Sequence, residues 1–317
     1  MITKYLENLT KNIKKYHLTK IVKGVFLLLI CLTFCFSCSK EIEINTLDYE
    51  KRLVVNSVFN TQKPFFFHFS YTEVPINSYS IIGDSIHVIL YEDTHKILDK
   101  MVLSDSLMTN IYPTDGCLYK LKVQTIGFDT VIAYESLPYS VSINEATIKP
   151  AVALDSYGDK IAEVGVTFTD LANKPNYYEL LVVNSFVGGR ISSYVPIDPE
   201  REIIDSVILN EGDKNYFPTT FFFSDELFDG QEYTLRFRHR ILNSTQFGVV
   251  LRSTSKNYYL YRKYWTRHYF NQPTHEFGFE GLIYKGESQA MFTNVVNGYG
   301  IFAGYVESAK SELKVIK

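Results

Sequence analysis

Short apolar runs with a period of two dominate the chain. Ile86, Val88 and Leu90 alternate with Ser85, His87, Ile89 and Tyr91, which places the two sets on opposite faces of an extended segment. The same alternation turns Val164, Val166 and Phe168 inward in residues 163–169. Runs of β-branched and aromatic residues bounded by turn residues predict further strands at 53–59, 64–71, 118–123 and 130–134. In the second half they predict strands at 177–186, 203–209, 219–223, 233–238 and 247–251. Pro113-Thr114-Asp115-Gly116 and Asn173-Lys174-Pro175-Asn176 are turn sequences between such runs. The expected architecture is therefore mainly β: two tandem immunoglobulin- or fibronectin-like β-sandwich domains at 51–140 and 141–317, with the crossing at 137–150 marked by Pro138 and Pro150.

One segment breaks the period. Residues 256–271, KNYYLYRKYWTRHYFN, contain no Gly or Pro, follow the candidate caps Ser253, Thr254 and Ser255, and end before Pro273, which predicts a helix. Tyr258, Tyr261, Trp265 and Tyr269 fall at i, i+3, i+7 and i+11, an aromatic stripe expected to pack on the second domain. Lys256, Lys263 and Arg267 are then expected in solvent, where they would meet an anionic partner, either lipid headgroups or an acidic patch on a transporter. The reading favoured over such a partner is that sheet carboxylates such as Asp225 or Glu226 pair with them.

The N-terminus has yet another pattern. Six lysines against the single acid Glu7 precede twelve uncharged residues, VFLLLICLTFCF, from Val25 to Phe36. Twelve suit the core of a signal peptide and fall short of the roughly 20 that a spanning helix needs. Ser37 and Cys38 follow, a small residue and then a cysteine, as at the cleavage site of a bacterial lipoprotein. We therefore expect a signal peptide over 1–37, lipidation at Cys38 and a polar, acidic tether over 38–50. Cleavage would remove the lysine-rich leader, so the mature chain is more acidic than the net −3 of the whole sequence.

Composition narrows the picture further. With 46% hydrophobic and 21% charged residues, the 317-residue chain is rich enough in apolar side chains to fold. Its 24 Tyr and 23 Phe argue against an all-helical fold. The charge balance carries no basic excess for nucleic acid. Cys117 is the one cysteine left after the leader and Cys38, so neither an internal disulfide nor a cysteine zinc cluster is expected.

Motifs of enzyme chemistry do not emerge: there is no HExxH, GxSxG, P-loop or GxGxxG. His68, within PFFFHFSY, reads as a strand residue. Asp155–Asp159 and Asp225–Gly230 combine acids with glycine, the composition of either a calcium loop or an ordinary Asp/Gly turn, and we expect the turn. Gly298, Gly300 and Gly304 are expected to let a last strand bend or pack closely against the helix. The aromatics could also supply a stacking platform for sugars.

Taken in order, several short motifs resemble one family. Cys38-Ser-Lys-Glu-Ile, Arg52-Leu-Val-Val-Asn56, Phe168-Thr-Asp170 and Asn176-Tyr-Tyr178 come first. Ser224-Asp225, Phe228-Asp-Gly230, Leu251-Arg-Ser-Thr-Ser255 and Asn294-Val-Val-Asn-Gly298 with Phe302 complete the series. Together they resemble the Bacteroidota lipoproteins of domain-of-unknown-function family 4249. The resemblance implies an outer-membrane lipoprotein, often encoded beside TonB-dependent transporters, with no established activity. The expectation is a non-enzymatic, lipid-anchored accessory component of nutrient uptake that binds no cofactor or metal; a surface glycan-binding lipoprotein and an enzyme with an unrecognised site are the alternatives.

Overall fold

The structure, a computed structural model, describes residues 50–72, 84–154, 158, 160–184, 198–199, 220–240, 247–271 and 290–316. The expected leader, Cys38, nearly all of the tether, the strand at 203–209 and most of the Asp155–Asp159 turn lie outside these residues. Residues Glu50–Lys317 form one compact unit.

Described in chain order, the first half supplies β1 (Leu53–Asn60), β2 (Phe66–Tyr71), β3 (Ile86–Glu92), β4 (His95–Val102), β5 (Ser106–Met108), β6 (Leu118–Thr125) and β7 (Val131–Ser136). The second begins with β8 (Ile143–Leu154), β9 (Lys160–Thr169), β10 (Tyr177–Asn184), β11 (Asp198–Pro199), β12 (Thr220–Ser224), β13 (Glu232–Arg240) and β14 (Phe247–Thr254). Helix α1 (Lys256–Asn271) follows, then β15 (Val295–Val296), β16 (Tyr299–Glu307), β17 (Ser311–Glu312) and β18 (Lys314–Val315). The protein is mainly β with one helix among the described residues.

Three sheets arise. The largest has the order β12-β10-β14-β16-β1-β2-β5, with β17 on β14; the others are β11-β13-β9-β8-β18 and β15-β7-β6-β3-β4. The long sheet joins the two halves because β16 lies between β14 and β1, antiparallel to the former and parallel to the latter. Period-two patterning decides what covers each face. Leu53, Val55 and Phe59 of β1, Phe67 and Phe69 of β2 and Phe302 of β16 pack on β3, β6 and β7 in one core. Further along the same face, Tyr178, Leu180, Phe221, Phe223, Val249 and Leu251 pack on β8, β9 and β13 in a second. Residues of opposite parity, Phe222, Ile301 and Ala303, face α1 on the other side.

Several expectations change. β15 and β16, from the segment assigned to the second domain, contribute Val295, Phe302 and Val306 to the first core. The supposed crossing already contains strand: β8 starts at Ile143 and runs through Pro150. A register break between Lys149 and Ala153, with Ala151 at φ 57°, takes the proline out of the ladder it cannot donate to. The C-terminal glycines make room for β1 rather than for the helix. A Cβ on Gly300, which has φ 114°, would come 2.0 Å from the Val55 carbonyl oxygen, and one on Gly298 would come 2.5 Å from that of Leu53.

Candidate functional site

Helix α1 is where the polar chemistry of the described residues gathers. It starts at Ser255, whose Oγ accepts a hydrogen bond from the Tyr258 N–H at 3.1 Å, a side-chain cap of the kind the sequence suggested. The helix sits deeper than an aromatic stripe at i, i+3, i+7 implies. Tyr258, Tyr259 and Thr266 are buried, whereas Tyr261 and Trp265 are only half-buried, and the Tyr269 side chain lies outside the described residues. The buried line therefore runs through Arg262.

Beneath Arg262 is Glu179, fully buried on the helix-facing side of β10. Its Oε2 accepts from Arg252 Nη1 at 2.8 Å and from the Tyr258 hydroxyl at 3.0 Å. Its Oε1 accepts from Thr220 Oγ1 at 2.9 Å and from Arg262 Nη2 at 3.3 Å. Arg252 also grips Glu307, with Nη2 at 2.6 Å and Nε at 2.8 Å, and lies over the Tyr305 ring. Burial alone would push the Glu179 carboxyl up, but the two guanidiniums outweigh it and hold the group below its ordinary range. Burial pushes the Tyr258 hydroxyl far up, with the Glu179 charge adding to it. Two arginines against two glutamates leave the centre neutral, and every Glu179 oxygen is occupied by the protein.

A second carboxylate meets the same helix at its start. Glu135 of β7 is buried; its Oε2 accepts from Ser255 Oγ at 2.7 Å and its Oε1 from the Ser136 N–H at 2.9 Å. Without a cation beside it, burial pushes its carboxyl up to about 7 against the neutral donors that oppose it. Ser255 thus caps α1 and ties it to β7.

Asp170, Asp225 and Asp229 form a third cluster, with carboxylate oxygens within 4.8 Å of one another. These are the described residues that could hold a hard cation. They are also heavily used: Asp170 accepts from the Tyr178 hydroxyl, from Asn176 Nδ2 and, at 2.7 Å, from the Gly230 N–H. Asp225 Oδ2 accepts from the Asn176 N–H at 2.8 Å and from its side-chain amide at 3.1 Å. Burial, then the Asp170 charge, raises the Asp225 carboxyl. Gly230 has φ 67°, so this segment is the Asp/Gly turn expected for Asp225–Gly230. An open depression of about 480 Å³ lies elsewhere, lined by Glu50, Lys51, Arg52, Gly127, Phe128, Asp129 and Asn297.

The residues expected to meet a partner are thus redistributed. Lys256 is exposed, but Lys263 and Arg267 are half-buried, and the Lys263 ammonium lies 5.3 Å from the centroid of the Tyr259 ring. Asp225 is occupied by Asn176 rather than by helix cations. The sequence reading missed Glu179 as the counter-charge of Arg262. The available signal was a lone acid in the apolar run YYELLVVN, since a carboxylate in such a place requires a cation. His68 sits on β2 and points outward.

The short motifs turn out to share these places. Phe168-Thr-Asp170, Asn176-Tyr-Tyr178, Ser224-Asp225 and Phe228-Asp-Gly230 meet in the aspartate turn. In the 251–255 run, Arg252 reaches Glu179 and Glu307, Ser253 Oγ accepts from the Val141 N–H at 3.1 Å, and Ser255 reaches Glu135. Asn294 clasps both backbone groups of Phe302, its Oδ1 accepting at 3.0 Å and its Nδ2 donating at 2.7 Å. A family model described as a domain of unknown function, DUF4249, matches residues 39–311. The chain belongs to the DUF4249 family. No curated protein matches it. In this DUF4249 chain, the resemblance motifs of residues 168–178, 224–230, 251–255 and 294–302 therefore supply side chains that tie one element of the fold to another.

Proposed function

We propose that the protein is a non-enzymatic, lipid-anchored outer-membrane protein that serves as an accessory binding or interaction component of a TonB-dependent uptake system. Its address rests on the twelve-residue apolar core that ends at Ser37-Cys38. One observation carries the role. The convergent carboxylates among the described residues, Glu179, Glu135 and the Asp170–Asp225 pair, direct their hydrogen bonds at other segments of the chain. Such groups make a rigid scaffold, and a scaffold on a lipid anchor presents a surface to a neighbour. Two cores on one face of a shared sheet support the finer fold reading, two β-sandwich lobes of immunoglobulin or fibronectin type fused along that sheet.

The test is cross-linking in native membranes followed by affinity purification of the lipidated chain. The expected outcome is a β-barrel transporter cross-linked to wild type and lost with Cys38→Ala. Recovery of soluble enzymes or of polysaccharide in place of a transporter would contradict the proposal.

A further inference from the structure

We infer that the end of the molecule at which the tether enters is its lipid-facing surface, so that the second half stands away from the bilayer. The inference rests on the anchor at Cys38 proposed above. Register places several chain excursions at one end of the first core: Leu53 pairs with Tyr71, Val54 with Tyr299, and Ile86 with Thr125 at the entry to the 126–129 turn. The open depression connects residues 50–52 with this turn and with Asn297, so these pieces form one surface.

That surface has the chemistry of a membrane interface. Ile126, Val296 and Tyr299 are 77%, 55% and 46% exposed, beside Lys51 and Arg52 and the acids Glu50 and Asp129, with Arg52 paired to Glu50 at 2.6 Å. The Lys51 ammonium lies 4.3 Å from the centroid of the Tyr71 ring, and the Arg52 guanidinium 5.8 Å from that of Tyr299. Apolar tips with an amphipathic tyrosine suit the headgroup boundary, and the long basic side chain of Lys51 reaches its phosphates. The sequence between the anchor and Glu50 limits how far this end can stand from the bilayer. Residues 39–49 extend at most about 40 Å, at roughly 3.5 Å per residue. From here β1 runs its eight residues, about 25 Å, toward the junction with the second half, where Glu135 meets Ser255. The start of the helix and the Leu227 turn therefore lie toward the other end of β1 from Glu50, and the body of the helix packs on the opposite face of the long sheet at Ile301 and Ala303.

Depth-dependent quenching tests the inference. The lipidated chain carrying Cys117→Ser receives a bimane label through Ile126→Cys, Val296→Cys or, as the distal control, Leu227→Cys, which is 62% exposed in wild type. Each is reconstituted in vesicles of phosphatidylethanolamine and phosphatidylglycerol containing brominated phosphatidylcholine. The expected result is that all three float with the vesicles, with most fluorescence lost at positions 126 and 296 and none at 227. Flotation with equal fluorescence at the three positions would overturn the inference and leave the anchor standing. Failure to float would refute the anchor and, with it, the inference.

Discussion

Two glutamates meet one helix in this protein, and their environments differ in one respect. Glu179, under the middle of α1, and Glu135, at its start, are both buried and both fully hydrogen-bonded. Glu179 faces two guanidiniums and is held below its ordinary range; Glu135 faces hydroxyl and amide donors and is pushed up to about 7. Burial acts the same way on both, so the charge of the partner decides the direction. One contact is an ionic lock across the helix–sheet interface; the other is a clasp of neutral donors that favour the ionised carboxyl but are outweighed by its burial.

Breaking the lock should have the largest effect. Glu179→Gln keeps the shape but leaves Arg262 without its counter-charge and Arg252 with Glu307 alone, and should cost about 3 kcal/mol in urea unfolding. A loss under about 1 kcal/mol would mean that water reaches the centre and the lock is ornamental.

The clasp predicts a pH dependence of definite sign. Between the ordinary 4.5 of a glutamate and about 7, the folded protein retains a proton at Glu135 that the unfolded chain has released. Stability from this group is therefore full below pH 4.5 and is lost as pH rises to about 7, by about 3 kcal/mol. Glu179 has the opposite sign, contributing stability that is lost as pH falls below the ordinary carboxylate range. Glu135→Gln should flatten the wild-type decline between pH 5 and 7 and be more stable than wild type at pH 8. Parallel melting curves for the two proteins over that window would show that Glu135 titrates normally.

Ser255→Ala should have the smallest effect, about 1–2 kcal/mol, because it removes both a helix cap and a donor to Glu135. In combination with Glu135→Gln the two costs should not add, since the residues share one hydrogen bond. Strict additivity would sever the proposed link between the cap and the clasp.

Much of the secondary structure was legible because it depends on local patterning. The period-two runs locate β1, β2, β3 and β9, and the capped, Pro-bounded segment locates α1 at its observed limits. β4 was not legible: HKILDKMV is a charged edge strand with little to bury. β8 was hidden by Pro150, which normally ends a ladder and is tolerated here by a bulge. The insertion of β16 beside β1 pairs residues some 245 positions apart, as in the Asn60–Tyr305 hydrogen bond, and nothing local encodes that. For the same reason the sequence displayed Arg262 without its partner: Glu179 is 83 positions away. The aspartate turn was half visible, since Asp225 and Gly230 signal it locally while Asp170 and Asn176 arrive from a second sheet-to-sheet connection, between β9 and β10.

These internal ties describe how the scaffold is held, and its use depends on where it is held. The central claim of a lipid-anchored protein is tested most directly at Cys38, by growing cells with a clickable fatty-acid analogue and comparing wild type with Cys38→Ala. The account predicts strong labelling of a wild-type band that starts at residue 38 and none of the variant, which should remain as unprocessed precursor. Equal labelling of both, or an unlabelled wild-type protein with its leader intact, would contradict it.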